Sequence, residues 1–133
     1  MDIRKFAVEA TSRLVLRDAN DEAMTDDGKE AAVNVYGPGS KQFAKAQSLQ
    51  NNRFVARLKK KGSADQSADQ KTAEQAEFLA DITESFENVE VDGLKGRALA
   101  LAIYSDVSIG FISDQVAKHI GDWANFTKGS AKS

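Results

Sequence analysis

Residues 98–126, ALALAIYSDVSIGFISDQVAKHIGDWANF, decide how this chain folds. From Ala98 to Tyr104 the run holds only alanine, leucine, isoleucine and tyrosine, which predicts a helix that is central and covered on most sides. Tyr104-Ser105-Asp106 then turns the chain, and Asp106 is placed to cap a second, amphipathic helix over residues 107–121. Its core stripe is Ile109, Ile112, Val116 and Ile120. At about 100° per residue, Phe111 falls roughly 145° from the centre of that stripe, with Gln115 and His119 spiralling back towards it. Trp123 and Phe126 follow as large apolar anchors set beside Asp122 and Asn125. Two readings stay open for these groups: they staple the C-terminal stretch onto the fold, or they are presented to a partner. Phe111, Gln115, Trp123 and Phe126 are therefore the candidate partner-binding residues.

Working outward, the apolar helix is expected over residues 94–104. Before it, residues 72–87 read as one helix with Leu79, Ile82 and Phe86 at i, i+3 and i+7, interrupted by residues 89–93. Residues 63–70, SADQSADQ, are small, polar and repetitive, and read as a loop. Residues 41–61 lack Gly and Pro and place Phe43, Ala46, Leu49 or Gln50, Phe54 and Leu58 at loosely helical spacing. Ser40 is a good N-cap for that helix, and Gly62 a C-cap behind Lys59, Lys60 and Lys61. Nearer the start, residues 13–17 and 32–36 read as two strands around a polar stretch, a β-hairpin spanning about residues 12–36. In residues 1–10, Ile3, Phe6 and Ala7 fit one face of a single helical turn. The expectation is one α+β domain over residues 1–133, mostly helical with about four helices and an N-terminal β-hairpin.

Composition removes several classes of function. At 133 residues, 41% hydrophobic and 29% charged, the chain suits one soluble globular domain. A net charge of −2 offers no global attraction for nucleic acid or an anionic membrane. There is no cysteine, so disulfides, thiolate metal sites and thiol nucleophiles are excluded together. No apolar run approaches the roughly 20 residues that span a bilayer. The N-terminal stretch carries charges where a signal peptide needs an apolar centre, so a cytoplasmic location is expected.

The chemical motifs mostly subtract. Gly37-Pro38-Gly39-Ser40-Lys41 lacks the GxxxxGK[ST] spacing of a phosphate loop, and Pro38 removes an amide, so it reads as a turn and helix cap. His119 is the one histidine and, near a helix C-terminus, reads as a surface or dipole-neutralising group. Asp18, Asp21, Glu22, Asp26 and Asp27 lack calcium-loop spacing and read as a solvated loop. Arg53, Arg57, Lys59, Lys60 and Lys61 form the one basic cluster, without the interleaved aromatics of a nucleic-acid surface. No catalytic, cofactor-binding or metal-ligating residue is assigned, and neither nucleic acid nor membrane is expected as a partner.

The ordered pieces Lys5-Phe6, Leu14-Val15-Leu16, Tyr36-Gly37-Pro38-Gly39-Ser40 with Phe43 and Ala46, Tyr104-Ser105-Asp106, Phe111-Ile112, Gln115-Val116, Ile120, Asp122 and Asn125-Phe126 run through nearly the whole chain. In that order they resemble the tail assembly chaperones of long, non-contractile-tailed bacteriophages. The chain departs from that pattern at Val107, where many such proteins carry proline. The resemblance implies a non-enzymatic protein in the host bacterial cytoplasm. It would bind the tape measure protein, keep that long helical chain soluble while the tail tube assembles, and be absent from the virion. It also implies a longer frameshifted form of the chain as a partner, and admits a homo-oligomer. A structural tail protein, such as a terminator or connector subunit pairing through its hairpin edge, is the alternative. A small DNA-binding regulator using the Arg53 to Lys61 helix is a third reading.

Overall fold

The computed structural model describes residues 1–61 and 67–128. Four α-helices and a three-stranded antiparallel sheet make up the described architecture, so the α+β expectation holds. The helices are α1 (Lys41–Lys61), α2 (Ala68–Asp81), α3 (Gly96–Ser105) and α4 (Gly110–Ile120).

The hairpin forms as expected. Strand β1 (Thr11–Val15) pairs antiparallel with a strand over Ala32–Tyr36, with Leu14 opposite Val33 and Arg13 opposite Asn34. Between them the polar stretch folds back on itself as a small ribbon, β2 (Thr25–Asp26) with β3 (Lys29–Glu30), which makes Ala32–Tyr36 strand β4. Asp27 and Gly28 at its tip take positive φ, the backbone of a tight turn.

The sequence expectation fails at residues 72–87. Helix α2 stops at Asp81, and Thr83–Glu87 is a strand, β5, on the far side of β4. Ile82 is fully buried at the helix end, and Phe86 packs tilted against Tyr104 from the sheet, ring centres 6.0 Å apart. Their spacing imitates a helical stripe, yet pairing with β4 overrides it, as tertiary context does for strands of poor intrinsic propensity. The Thr83 hydroxyl donates to Leu79 O at 2.8 Å and meets the Tyr104 hydroxyl at 2.7 Å, tying the start of β5 to α3. Burial pushes the Tyr104 phenol up to about 12. Asn88, with positive φ, ends the strand, and its side chain donates to Glu30 O.

Since β4 is the central strand, Val33 and Val35 are fully buried beneath the helices. On the other face Asn34 reaches Ser85 and Glu87, and Glu87 accepts from Arg13, so a polar ladder crosses all three strands. These bonds hold the Glu87 carboxyl below its usual range, the Asn34 amide being the largest influence. The core joins Leu16, Val33, Leu79, Ile82, Ile103, Val116 and Phe126.

Other boundaries shift in smaller ways. Helix α2 begins at Ala68, three residues inside the segment read as a loop. Ser67 and Gln70 form a reciprocal capping box there, a feature worth about 1 kcal/mol. Residues 62–66, which carry the rest of that loop and the Gly62 cap, lie outside the described residues. Asp106 caps, as expected, but the element it caps is a 3₁₀ turn, Val107–Ile109, that precedes α4. Helix α3 starts at Gly96 rather than 94. Ser40 caps α1 as anticipated, its hydroxyl accepting from the Phe43 amide. The turn over Ile3–Phe6 is 3₁₀ and leaves both Ile3 and Phe6 exposed. No helix among the described residues is long and apolar enough to cross a membrane.

Candidate partner-binding surface

The four candidate residues occupy four different settings. Phe126 is 0% exposed. Its ring lies against His119, centres 5.5 Å apart, and over Gly37, where an added Cβ would stand 2.3 Å from a ring carbon. It is a staple and not a contact surface. Gln115 accepts from Arg17 N at 2.8 Å and donates to Arg17 O at 2.7 Å and Phe111 O at 3.1 Å. Those bonds saturate both backbone groups of Arg17, just beyond β1, so the amide clamps the sheet to α4. Phe111 is partly buried against the core. Trp123 alone is open, at 56% exposure, and flanks Gly39. Phe111 begins α4 and Trp123 follows its end, separated by about 16 Å of helix, so the two form no continuous patch.

His119 also departs from expectation. It is buried, and its Nε2 lies 2.9 Å from Ser12 Oγ. Burial lowers its pKa, while the carboxylate of Asp122 pulls in the opposite direction. A histidine that stays neutral when folded binds fewer protons than the unfolded chain below its ordinary value of 6.5. Stability contributed by neutral His119 is thus present above that value and falls across the acidic interval below it. His119→Gln is expected to flatten the pH dependence of urea stability in that interval. An unchanged slope would mean that another group titrates there.

A larger apolar surface lies on α1, among the residues that the sequence placed at loosely helical spacing. Leu49, Phe54, Val55 and Leu58 on α1 are each between 36% and 40% exposed. The inward line of α1 begins with buried Phe43 and Ala46, Phe43 packing edge-on against Phe78 with ring centres 5.7 Å apart. Continued at the same 3-and-4 spacing, that line passes through Gln50, Arg53 and Arg57. Arg53 faces Glu77 at 3.4 Å and Asp81 at 3.8 Å, and Arg57 pairs with Glu74. The seam between α1 and α2 is apolar at its base and ionic further out. Phe54, Val55 and Leu58 are left on one outer side of α1, and Leu49 on the other. The guanidinium of Arg57 lies 5.4 Å from the Phe54 ring centre, covering part of it. The sequence signal was present: Arg53 and Arg57 continue the Phe43–Ala46 line, so the aromatic and leucine beside them had to turn out.

These pairings also engage Arg53 and Arg57 of the basic cluster. Among the described residues, no group of three or more His, Cys, Asp or Glu side chains comes together to hold a metal.

No family model matches the chain, and neither a curated protein nor a solved structure does.

Proposed function

We propose that this chain is a phage tail assembly chaperone that works by binding and not by catalysis. It holds apolar helical stretches of the tape measure protein in the host bacterial cytoplasm, and it is left out of the virion. A longer frameshifted form of the chain and further copies of it are the other partners of this reading. The observation that carries the proposal is the row of Phe54, Val55 and Leu58, open on a helix whose inward line has turned ionic. Apolar side chains grouped on an exposed helix and rimmed by charge suit the apolar face of a second helix. This surface takes the place of the one centred on Phe111, Gln115, Trp123 and Phe126, two of which are occupied in holding the fold.

The reading as a structural tail subunit has less to draw on. It needed a free hairpin edge, yet β4 is the central strand. The other hairpin strand, β1, is a sheet edge, flanked on its outer side by Phe126 O accepting from Glu9 N and by Gln115 on Arg17.

Co-expression with the tape measure protein of the same phage is expected to keep that protein soluble. Phe54→Asp combined with Leu58→Asp should abolish the effect, because a charge on an interface anchor blocks association. Both side chains are exposed, so far-UV circular dichroism and the melting temperature should stay at wild-type values. A wild-type chain that never changes tape measure solubility, or one found in purified virions, overturns the proposal.

A further inference from the structure

Strand β5 has a neighbour on one side only. In an antiparallel ladder alternate residues bond to one neighbour, so the remaining amides and carbonyls of β5 point away from β4. Among the described residues none of those outward groups has a backbone partner. Strand β1 is the other edge of the sheet and is bonded on its outer side beyond both ends, at Glu9 and Arg17, whereas β5 is set apart by the cleft beside it.

Beside that edge runs a cleft of about 730 Å³, between β5, the turn that follows it and the start of α3. Phe86, Val89, Leu94, Leu99 and Ala100 supply its apolar lining. Leu94 is exposed on the rim. Glu84 and Glu90 also line it, both exposed and without an ion-pair partner among the described residues. Arg97, on the opposite wall, is held by Asp81, which leaves Lys95 as the one uncompensated cation of the described lining.

We propose that the open edge of β5 and this cleft form a docking site for an extended peptide segment of a partner protein, with lysine or arginine alternating with apolar residues. The inference does not rest on the chaperone reading, since it uses a different face and an extended partner. An added strand satisfies the free backbone groups and places alternate side chains over the cleft, the general form of strand-addition recognition. Basic residues in that strand answer Glu84 and Glu90. A second copy of β5 is the poorer occupant, because antiparallel self-pairing crowds Glu84 and Glu87 of both chains into one ribbon, and like charges across strands repel.

The test uses the full chain and a short synthetic peptide alternating valine with lysine, read by fluorescence anisotropy and amide hydrogen exchange. Binding is expected to slow exchange of alternate β5 amides by about tenfold or more. Glu84→Lys combined with Glu90→Lys should weaken the affinity by about tenfold or more, with unchanged circular dichroism since both side chains are exposed. Leu94→Asp, on the rim, is a second variant expected to weaken it. The same peptide N-methylated on alternate residues should not bind, a loss that simple charge attraction would not produce. Equal binding by a valine–glutamate peptide, retained binding after N-methylation, or protection confined to other elements overturns the proposal. Dimerisation that protects β5 without peptide gives the edge to a second copy and overturns it as well. So does an apolar dye seated in the cleft while the peptide stays silent.

Discussion

Phe126→Ala is expected to destabilise the protein by about 3–5 kcal/mol, the range for deleting a buried aromatic ring. The side chain is fully buried, and three parts of the fold meet on it. Its ring covers Gly37 at the turn between β4 and α1. The same ring packs on His119 near the end of α4. Its carbonyl accepts from Glu9 N at 2.7 Å, holding the segment that leads into β1. Removing the ring leaves a cavity between elements far apart in sequence, with little freedom to collapse. Gly37 gives an independent check. An alanine methyl there would stand 2.3 to 2.7 Å from three ring carbons, so Gly37→Ala alone should also destabilise. In the Phe126→Ala background the same methyl enters the vacated space and should cost much less, a coupling that a double-mutant cycle in urea measures directly. If Phe126→Ala lies within about 1 kcal/mol of wild type, the ring is no staple.

How far the sequence disclosed this can be followed element by element. Leu14, Val33 and Val35 sit in short runs rich in β-branched and apolar residues, and the pairing of β1 with β4 follows. Ser40 was readable as a cap because its signal is local: a hydroxyl just after a Gly-Pro-Gly break. The central helix was readable because a run of seven residues from Ala98 to Tyr104 leaves no polar face. Strand β5 was not readable, because Glu84, Ser85 and Glu87 dilute the strand preference of Thr83 and Phe86, and the segment is held by bonds to a distant β4. Only Asn88 and Asp92-Gly93, all at positive φ, hinted that the helix had already ended. The candidate surface failed for the same kind of reason. Gln115 looks like a free amide on a helix until Arg17, 98 residues away, takes both its ends. His119 looks like a surface group until Ser12, 107 residues away, comes within 2.9 Å. For Phe126 the sequence left stapling and recognition open, and the ring's contact with Gly37 decides for stapling. On α1 the loosely helical spacing gave the helix but not its direction: Phe43 and Ala46 begin it in the core, and Phe54 and Leu58 end up on its outer side.

The orientation of α3 carries the second large effect. Ile103 is 1% exposed and sits on a helix packed between α2 and α4, and Leu99, one turn earlier, is buried beside it. Leu101 lies on another side of α3 and is only partly covered. Ile103→Ala is therefore expected to destabilise by about 2–5 kcal/mol, the range for an aliphatic side chain cut back in a packed interior. Leu101→Ala removes a similar number of atoms from a half-open position, where water and neighbouring side chains can refill the space, so its effect should be clearly smaller. The comparison is more telling than either value, because alanine fits both helix positions and propensity changes little. Urea denaturation of the two variants, with matched m-values, gives the ordering. Equal losses would mean that α3 is enclosed on all sides, as its composition first suggests. A larger loss at Leu101 would mean that the helix is turned about its axis, with its buried face away from α2 and α4.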